Sequence, residues 1–327
     1  MGENRKTDIS SGAKSGIESG IKSGIKSGIK PDKDASGVGT LLSQGLSTRR
    51  LAIQTALGVG YALAASPLIA QTAIRTSSLG LDTTEVMLER DGFKFPVFVA
   101  KPSNTLHPPV VLVISEIFGV HEYIADVARR FAQAGYCAIA PELFARQGDP
   151  SEYAQLSKLQ SEVIDKVPDH QVLSDLDACV LWAKNQGFDV DRLAINGFCW
   201  GGRIAWLYAA QQEKLKAAAV WYGRLQGTQT PNTPKHPLDL MQGLRAPVLG
   251  LYGDKDPSIA LESIQRMQEK LQILGRAGVK SAQSSRFVIY PGVGHAFHAD
   301  YRSSFDQGAA ADAWQQTLAW FKEWLRA

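Results

Sequence analysis

Residues 197–202 read Gly-Phe-Cys-Trp-Gly-Gly and contain the side chain with the clearest chemical potential, Cys199. The apolar run before them predicts a strand, and the pattern after them predicts a helix. A cysteine on so tight a turn projects its sulfur out of the sheet, and the unpaired N–H groups at the helix start favour a thiolate. Glycines are expected on both sides because a side chain there would clash with neighbouring elements. The pattern predicts a cysteine nucleophile, and an inert buried cysteine is the alternative.

Two acids and a histidine follow later predicted strands. Asp254 and Asp256 come directly after the apolar run 247–252, and His295 follows the run 286–290. The chain order nucleophile, acid, histidine is that of the α/β-hydrolase fold, in which such residues collect at the carboxyl ends of the strands. We therefore expect His295 to take the thiol proton and one acid to orient the imidazole. For Asp254 the alternative is a turn residue that bonds its own backbone.

Glu116 lies just beyond the apolar run 110–114, so it is expected at a strand tip beside Cys199. A carboxylate in that place is costly unless it has a partner. Close to the sulfur it would disfavour the thiolate and keep the thiol protonated until substrate arrives. A helix cap or a surface acid is the alternative for Glu116.

The remaining cysteines and histidines do not predict further chemistry. Cys137 lies in a strand pattern and Cys179 on an apolar helix face, so both are expected in the core. Three cysteines in 327 residues exclude a disulfide-stapled scaffold. Four histidines are scattered without metal-ligand spacing, namely His107, His121, His170 and His236. We expect no metal site and no cofactor.

Apolar runs alternate with helical patterns along most of the chain, which is 44% hydrophobic and 20% charged. After a hairpin of residues 85–88 and 95–100, strands are expected at 110–114, 136–140, 193–196, 217–221, 247–252 and 286–290. Helices are expected between them, among them 151–165, 171–186, 201–212 and 260–274, with a closing helix whose apolar stripe is core. The alternation predicts an α/β-hydrolase fold, a mostly parallel sheet with helices on both faces. It forms a single domain over residues 71–327.

The first 70 residues differ in composition. Residues 11–30 repeat a Ser-Gly tetrad five times, and we interpret residues 1–46 as a flexible low-complexity leader. Arg49 and Arg50 precede the uncharged run 51–70, so residues 47–70 resemble a twin-arginine signal peptide with cleavage near Ala70. This predicts export to the periplasm; the alternatives are a membrane anchor and a cytoplasmic protein.

The net charge of +3 arises from this leader, because residues 1–50 hold nine Lys/Arg and five Asp/Glu. The remainder of the chain is nearly neutral and lacks the excess of basic residues expected of a nucleic-acid-binding protein. It has no second long apolar run, so no stable membrane association is expected after cleavage. The sequence leaves open whether the domain is a monomer or a small oligomer.

Three motifs make the sequence resemble the dienelactone hydrolases, also called carboxymethylenebutenolidases. They are residues 197–202, Ser-Glu-Ile-Phe-Gly-Val at 115–120 and Gly-His-Ala-Phe at 294–297. The resemblance spans about residues 85–325. It implies hydrolysis of a small lactone or ester through a thioester acyl-enzyme.

The same resemblance assigns roles to single residues. Cys199 is implied as the nucleophile, His295 as the base and Asp256, rather than Asp254, as the acid. Glu116 matches a carboxylate that substrate binding reorients. A further implication is an oxyanion hole formed by the backbone N–H groups of Ile117 and Trp200.

The resemblance is incomplete at the substrate site. Family enzymes grip a substrate carboxylate with two arginines, but residues 151–163 contain none, and Ala299 stands four residues after His295. A different lactone or ester is therefore expected. Candidate pocket residues, of which several are equally compatible with the core, are Arg146, Trp221, Tyr222, His298, Tyr301 and Arg302. The alternatives are a general carboxylesterase or thioesterase and, against the complete Cys-His-Asp set, a non-catalytic hydrolase-like binding protein.

Overall fold

A computed structural model describes residues 74–326, and within them lies one eight-stranded sheet. The strands are β1 (Leu81–Arg90), β2 (Phe93–Pro102), β3 (Pro109–Ile114), β4 (Cys137–Pro141), β5 (Asp189–Phe198), β6 (Leu215–Trp221), β7 (Val248–Gly253) and β8 (Arg286–Tyr290). Their order across the sheet is β1-β2-β4-β3-β5-β6-β7-β8. The first two strands pair antiparallel to their neighbours, and β4, β3, β5, β6, β7 and β8 are parallel. The predicted α/β-hydrolase fold is confirmed.

Helices occupy both faces of this sheet. They are α1 (Glu122–Gln133), α2 (Leu156–Glu162), α3 (Asp169–Asn185), α4 (Trp200–Gln211), α5 (Pro237–Leu240), α6 (Leu261–Arg276), α7 (Lys280–Ser284) and α8 (Gln307–Trp324). On one face α1 meets α8, where the Phe131 and Trp314 rings lie 4.6 Å apart. On the other face α3 meets α4, and Tyr208 donates to Asp177 at 2.9 Å. The predicted core stripe of the closing helix is confirmed at Thr317 and Phe321, both fully buried.

Two elements differ from the sequence expectation. The helix predicted over 151–165 is broken into a 3-10 turn at Pro150–Glu152, the helix α2 and a second 3-10 turn at Ile164–Lys166. Only Leu159 of α2 is buried, so packing does not support a long helix there. The opening hairpin is longer than predicted because β1 is an edge strand whose largely exposed residues mask the apolar pattern.

The amino end of the described segment is bonded to the domain. The Ile74 N–H donates to Asp300 at 3.2 Å, and the Thr76 N–H donates to Asp126 at 2.5 Å. Arg130 joins both acceptors, at 2.7 Å from Asp126 and 2.8 Å from Asp300. The segment entering β1 is therefore part of the folded domain.

The predicted leader (1–46) and signal peptide (47–70) lie outside the described residues, as do residues 71–73 and Ala327. Among residues 74–326, no helix combines the length and apolar character needed to cross a bilayer.

Candidate active site

Cys199 occupies the sharp turn between β5 and α4. Its backbone has φ +54° and ψ −112°, a conformation that L side chains rarely adopt. The turn is held by hydrogen bonds from the Cys199 N–H to the Trp221 carbonyl and from the Arg203 N–H to the Cys199 carbonyl, at 3.0 and 3.2 Å. The side chain is partly exposed, whereas Cys137 and Cys179 are buried, as predicted. Burial raises the pKa of the Cys137 thiol to about 12.

The glycines beside Cys199 are required by close backbone contacts. A Cβ on Gly197 would lie 2.1 Å from the Gly201 carbonyl oxygen. A Cβ on Gly201 would lie 2.4 Å from the Ser115 oxygen and 2.5 Å from the Ile114 oxygen. Neither distance is sterically possible, so the turn excludes every side chain at these two positions.

His295 is held by Asp256 from the neighbouring loop. The His295 Nδ1 lies 2.6 Å from Asp256 Oδ2, and the carboxylate is nearly buried. Ser258 supports this carboxylate through its N–H and hydroxyl, at 2.8 and 2.6 Å from Oδ1. Asp254 instead accepts the Gly292 N–H at 2.7 Å. The structure thus separates the two acids, one on the imidazole and the other in a turn.

The side chain of Cys199 also acts on the imidazole of His295 and favours its charged form. Because Nδ1 faces Asp256, Nε2 remains for the sulfur. Burial opposes the charged imidazolium, but the bond to Asp256 and the interaction with Cys199 outweigh it and raise the pKa of His295 to about 10. Desolvation also opposes ionisation of Asp256, yet the His295 contact and the Ser258 bonds hold the pKa of its carboxyl below the usual value. The three predicted groups are brought together.

Glu116 lies at the end of β3, next to the turn that holds Cys199. Its side chain is almost fully buried, and Tyr301 donates a hydrogen bond to its Oε2 at 2.5 Å. His121 Nε2 is 4.0 Å from the same oxygen, but burial, assisted by Arg302, lowers the pKa of His121 to about 3. That imidazole is neutral and does not form an ion pair. Within residues 74–326, Oε1 has no hydrogen-bond partner.

The two backbone N–H groups predicted for the oxyanion hole lie at the start of α4 and just after the end of β3. Trp200 is the first residue of α4, so its N–H has no acceptor within the helix. Ile117 follows Glu116 at the tip of β3, which neighbours β5 in the sheet. Both positions suit the predicted oxyanion hole.

Three of the predicted pocket residues belong to the core beneath the turn. Trp221 and Tyr222 are fully buried and His298 nearly so. Trp221 donates to Asn196 at 2.8 Å, and His298 Nδ1 lies 2.6 Å from the Tyr123 hydroxyl. The Tyr222 ring is 5.0 Å from that of His295, so it contacts the candidate site from below.

The two predicted arginines differ in their surroundings. Arg146 forms a bidentate ion pair with Asp175, donates to the Arg90 carbonyl and lies over the Phe93 ring. These contacts commit its guanidinium to the hairpin and α3, so its placement in the substrate pocket is corrected to a structural role. Arg302 lies over the rings of Phe118 and Tyr301, at 5.2 and 5.9 Å.

A groove that sequence reasoning missed adjoins the site. Its volume is about 730 Å³, and its walls include Phe118, Val120, His121 and Glu142 but not Cys199 or His295. In the sequence, the one indication of this groove was Glu142, an acid that directly follows Pro141 at the end of β4. Among the described residues, no group of three or more His, Cys, Asp or Glu is arranged to hold a metal ion.

The chain is similar to known proteins over most of its length. Residues 95–325 match the pattern of a family that is described as "Dienelactone hydrolase family". Two relatives, each named "Putative carboxymethylenebutenolidase", come from Methylorubrum extorquens and Escherichia coli K12. The first is 47% identical over 87% of this chain and 96% of its own length. The second is 48% identical over 81% of this chain and 95% of its own length.

Solved structures agree with the fold. The crystal structure of a putative dienelactone hydrolase from Klebsiella pneumoniae is 49% identical, with a TM-score of 0.69 over 74% of this chain and 99% of its own. A dienelactone hydrolase-like phosphotriesterase from metagenomic libraries has a TM-score of 0.61 over 75% of this chain and 99% of its own. At 19% identity, the second structure supports the fold alone.

Proposed function

Because this chain belongs to the dienelactone hydrolase family, we propose that it cleaves a lactone or ester through Cys199, with His295 and Asp256 as its partners. The family acts on lactone or ester bonds of small molecules. One observation above all others supports the roles proposed for Cys199, His295 and Asp256. The Asp256 carboxylate bonds the His295 imidazole, and the side chain of Cys199 at the strained turn raises the pKa of the same imidazole.

The reactive form of the enzyme is an ion pair, in which the thiol proton has moved to His295 Nε2 and the raised pKa of His295 keeps it there. Asp256 fixes the tautomer by accepting at Nδ1 and stabilises the imidazolium that forms. The resulting thiolate attacks the carbonyl carbon, and the C=O electron pair moves to oxygen. The N–H groups of Ile117 and Trp200 receive this oxyanion.

Collapse of the tetrahedral intermediate breaks the C–O bond of the ester or lactone. The imidazolium of His295 gives its proton to the departing oxygen, which leaves a thioester on Cys199. Water then attacks the thioester while His295 takes one of its protons. The second intermediate releases the carboxylic acid, and the thiolate regains a proton from His295.

Glu116 is proposed to control when the sulfur ionises. Its buried carboxylate lies beside Cys199 with one oxygen unpartnered among the described residues. A negative charge there disfavours the thiolate in the free enzyme. Substrate that engages this carboxylate removes the opposition, so the nucleophile forms when it is needed.

Arg302 is proposed as the substrate-facing cation. It lies over Phe118, the residue between the proposed oxyanion donor and Gly119, and next to Tyr301 on Glu116. A guanidinium at this place suits a carboxylate on the acid part of a small lactone or ester. This contact with a substrate carboxylate does not require arginines at the two positions where other family enzymes have them.

The decisive experiment is capture of the thioester. A nitrophenyl ester mixed with the enzyme and quenched in acid should add one acyl group to Cys199, detected by peptide mass spectrometry. Cys199→Ala should lack the adduct and lose turnover by at least a thousandfold. Cys179→Ser, which changes a buried thiol remote from the site, is the matched control and should retain both. Full activity of Cys199→Ala would refute the mechanism.

We also propose that the protein is exported, with residues 47–70 as its signal peptide. The support is the sequence pattern together with the bonded position of Ile74, which leaves the predicted cleavage site just ahead of the domain. Amino-terminal sequencing of the periplasmic protein should begin near Gln71. Recovery of full-length protein from the cytoplasm would contradict this proposal, and Arg49→Lys with Arg50→Lys should block export.

A further inference from the structure

Glu142 connects the end of β4 to the loop that follows β3. Its backbone N–H donates to the Pro96 carbonyl at 2.9 Å, which anchors it to β2. Its carboxylate accepts the Val120 N–H at 2.7 Å and the Phe144 N–H at 3.4 Å. The acid therefore links two loops of the carboxyl edge of the sheet.

The contact with the loop is unusually close at Gly119. This residue has φ +72°, and a Cβ on it would lie 2.5 and 2.8 Å from the two Glu142 oxygens. Only glycine permits both this backbone and this approach. The Glu142 carboxylate therefore packs directly against the backbone of this loop at Gly119.

The same loop contains Glu116 and Ile117, three and two residues ahead of Gly119. Movement of the Val120 N–H would be transmitted through this short segment to the Ile117 N–H. Hydrogen bonds to an oxyanion are effective only when the donor is held within a few tenths of an ångström.

We propose that Glu142 is a positioning residue that holds the loop of the oxyanion hole, so that its ionised carboxylate is required for full turnover. This rests on the proposed function, because it assumes that the Ile117 N–H receives the oxyanion. Glu142 does not touch the reacting atoms. It acts through the backbone of Gly119 and Val120.

The charge on Glu142 is set by its surroundings in the groove. Withdrawal from water raises the pKa of Glu142 to about 7, opposed by the Val120 and Phe144 N–H groups and assisted by Asp149. The other titratable or charged groups of the groove walls are Glu85, His121, Glu122, Arg129 and Glu152. His121 stays neutral, since its pKa is about 3. The carboxylate of Glu142 is thus the groove group expected to change charge near neutrality.

The direction of the pH dependence follows from the hydrogen bonds that Glu142 accepts. The ionised carboxylate accepts both backbone N–H groups, whereas the protonated acid accepts them more weakly. Loop order is therefore lost as the pH falls through about 7. Turnover should decline over the same interval.

The test compares Glu142→Gln with Glu152→Gln in the full-length enzyme. Glutamine keeps the shape but places an amide donor against one of the two N–H groups, so kcat for a nitrophenyl ester should fall roughly tenfold. Glu152→Gln removes one charge from the same groove without touching the loop and should match the wild type. The decline in kcat below about pH 7 should be present in the wild type and absent in Glu142→Gln.

Alkylation of Cys199 by iodoacetamide separates this proposal from the proposed function. The reaction forms no oxyanion, so its rate should be unchanged in Glu142→Gln. Equal loss of alkylation and turnover, an equal effect of Glu152→Gln, or a wild-type kcat without an ionisation between pH 6 and 8 would each overturn the proposal. The last measurement needs no variant and applies even if Glu142→Gln does not fold. Failure of the proposed function appears separately, as activity in Cys199→Ala.

Discussion

Ile114 on β3 and Gly197 on β5 face each other in parallel register. Two residues later each strand delivers a chemical group, Glu116 from β3 and Cys199 from β5. Parallel neighbours deliver such groups side by side at the carboxyl edge of the sheet. Their closeness is therefore a property of the strand register and does not depend on a long loop.

The two acids after β7 should differ sharply in their effect on catalysis. Asp256→Asn removes the charge that orients His295, and kcat should fall roughly a thousandfold. Asp254→Asn keeps an oxygen that accepts the Gly292 N–H, and kcat should change less than about twofold. Steady-state hydrolysis of a nitrophenyl ester measures both. Equal losses in the two variants would contradict the assignment of Asp256.

Gly201→Ala should destabilise the domain. The added methyl group meets the carbonyl oxygens of Ile114, the last residue of β3, and of Ser115, the next residue, so the free energy of unfolding should fall by roughly 2–3 kcal/mol. Denaturant unfolding followed by tryptophan fluorescence checks this. Gly308→Ala is the control, since a Cβ there has an ordinary contact at 3.5 Å with Asp306. A Gly201→Ala protein as stable as the wild type would disprove the close approach.

The charge on His295 should appear in the pH dependence of stability. Its pKa is about 10 in the folded protein against the ordinary 6.5, so the folded state binds the proton more tightly. This contribution is complete below pH 6.5 and is lost as the pH rises to about 10. The difference in unfolding free energy between wild type and His295→Gln should shrink over that interval by an amount on the order of a few kcal/mol. A difference that stays constant from pH 6.5 to 10 would argue against the charged imidazole.

Arg302→Gln should affect anionic substrates selectively. We expect kcat/KM for a nitrophenyl monoester of a dicarboxylic acid to fall roughly tenfold or more, because a charged hydrogen bond is lost. Hydrolysis of the neutral nitrophenyl butyrate should change little. Arg276→Gln, which removes an equal charge from the end of α6, is the control for long-range electrostatics. Identical losses for both substrates would remove Arg302 from substrate binding.

Much of this architecture could be predicted from the sequence because it depends on local patterns of residues. Continuous apolar runs predicted the parallel strands, and the glycines at 197 and 201 predicted a turn too tight for side chains. The spacing alone did not identify the acid, since Asp254 and Asp256 occupy equivalent positions in the pattern, and only the family resemblance favoured Asp256. Only the direction of each side chain separates them.

Other features depend on contacts between distant parts of the chain. Arg146 pairs with Asp175, which is 29 residues away, and no spacing rule indicates such a pair. The positive φ angles of Tyr222 and Ala296, beside or within the loops of the site, are unexpected for residues other than glycine. Such backbone strain is maintained by surrounding packing, so a local pattern does not reveal it.

The bonds of Ile74 and Thr76 to Asp300 and Asp126 set a downstream limit for the proposed cleavage of the chain. A protease that trims the protein as far as Ile74 leaves these anchors in place. Cutting beyond Thr76 removes both and leaves Asp126 held by Arg129 and Arg130 and Asp300 held by Arg130, with Asp300 next to the tyrosine that bonds Glu116. The point of the proposed cleavage is thereby connected to the order of the proposed catalytic pocket.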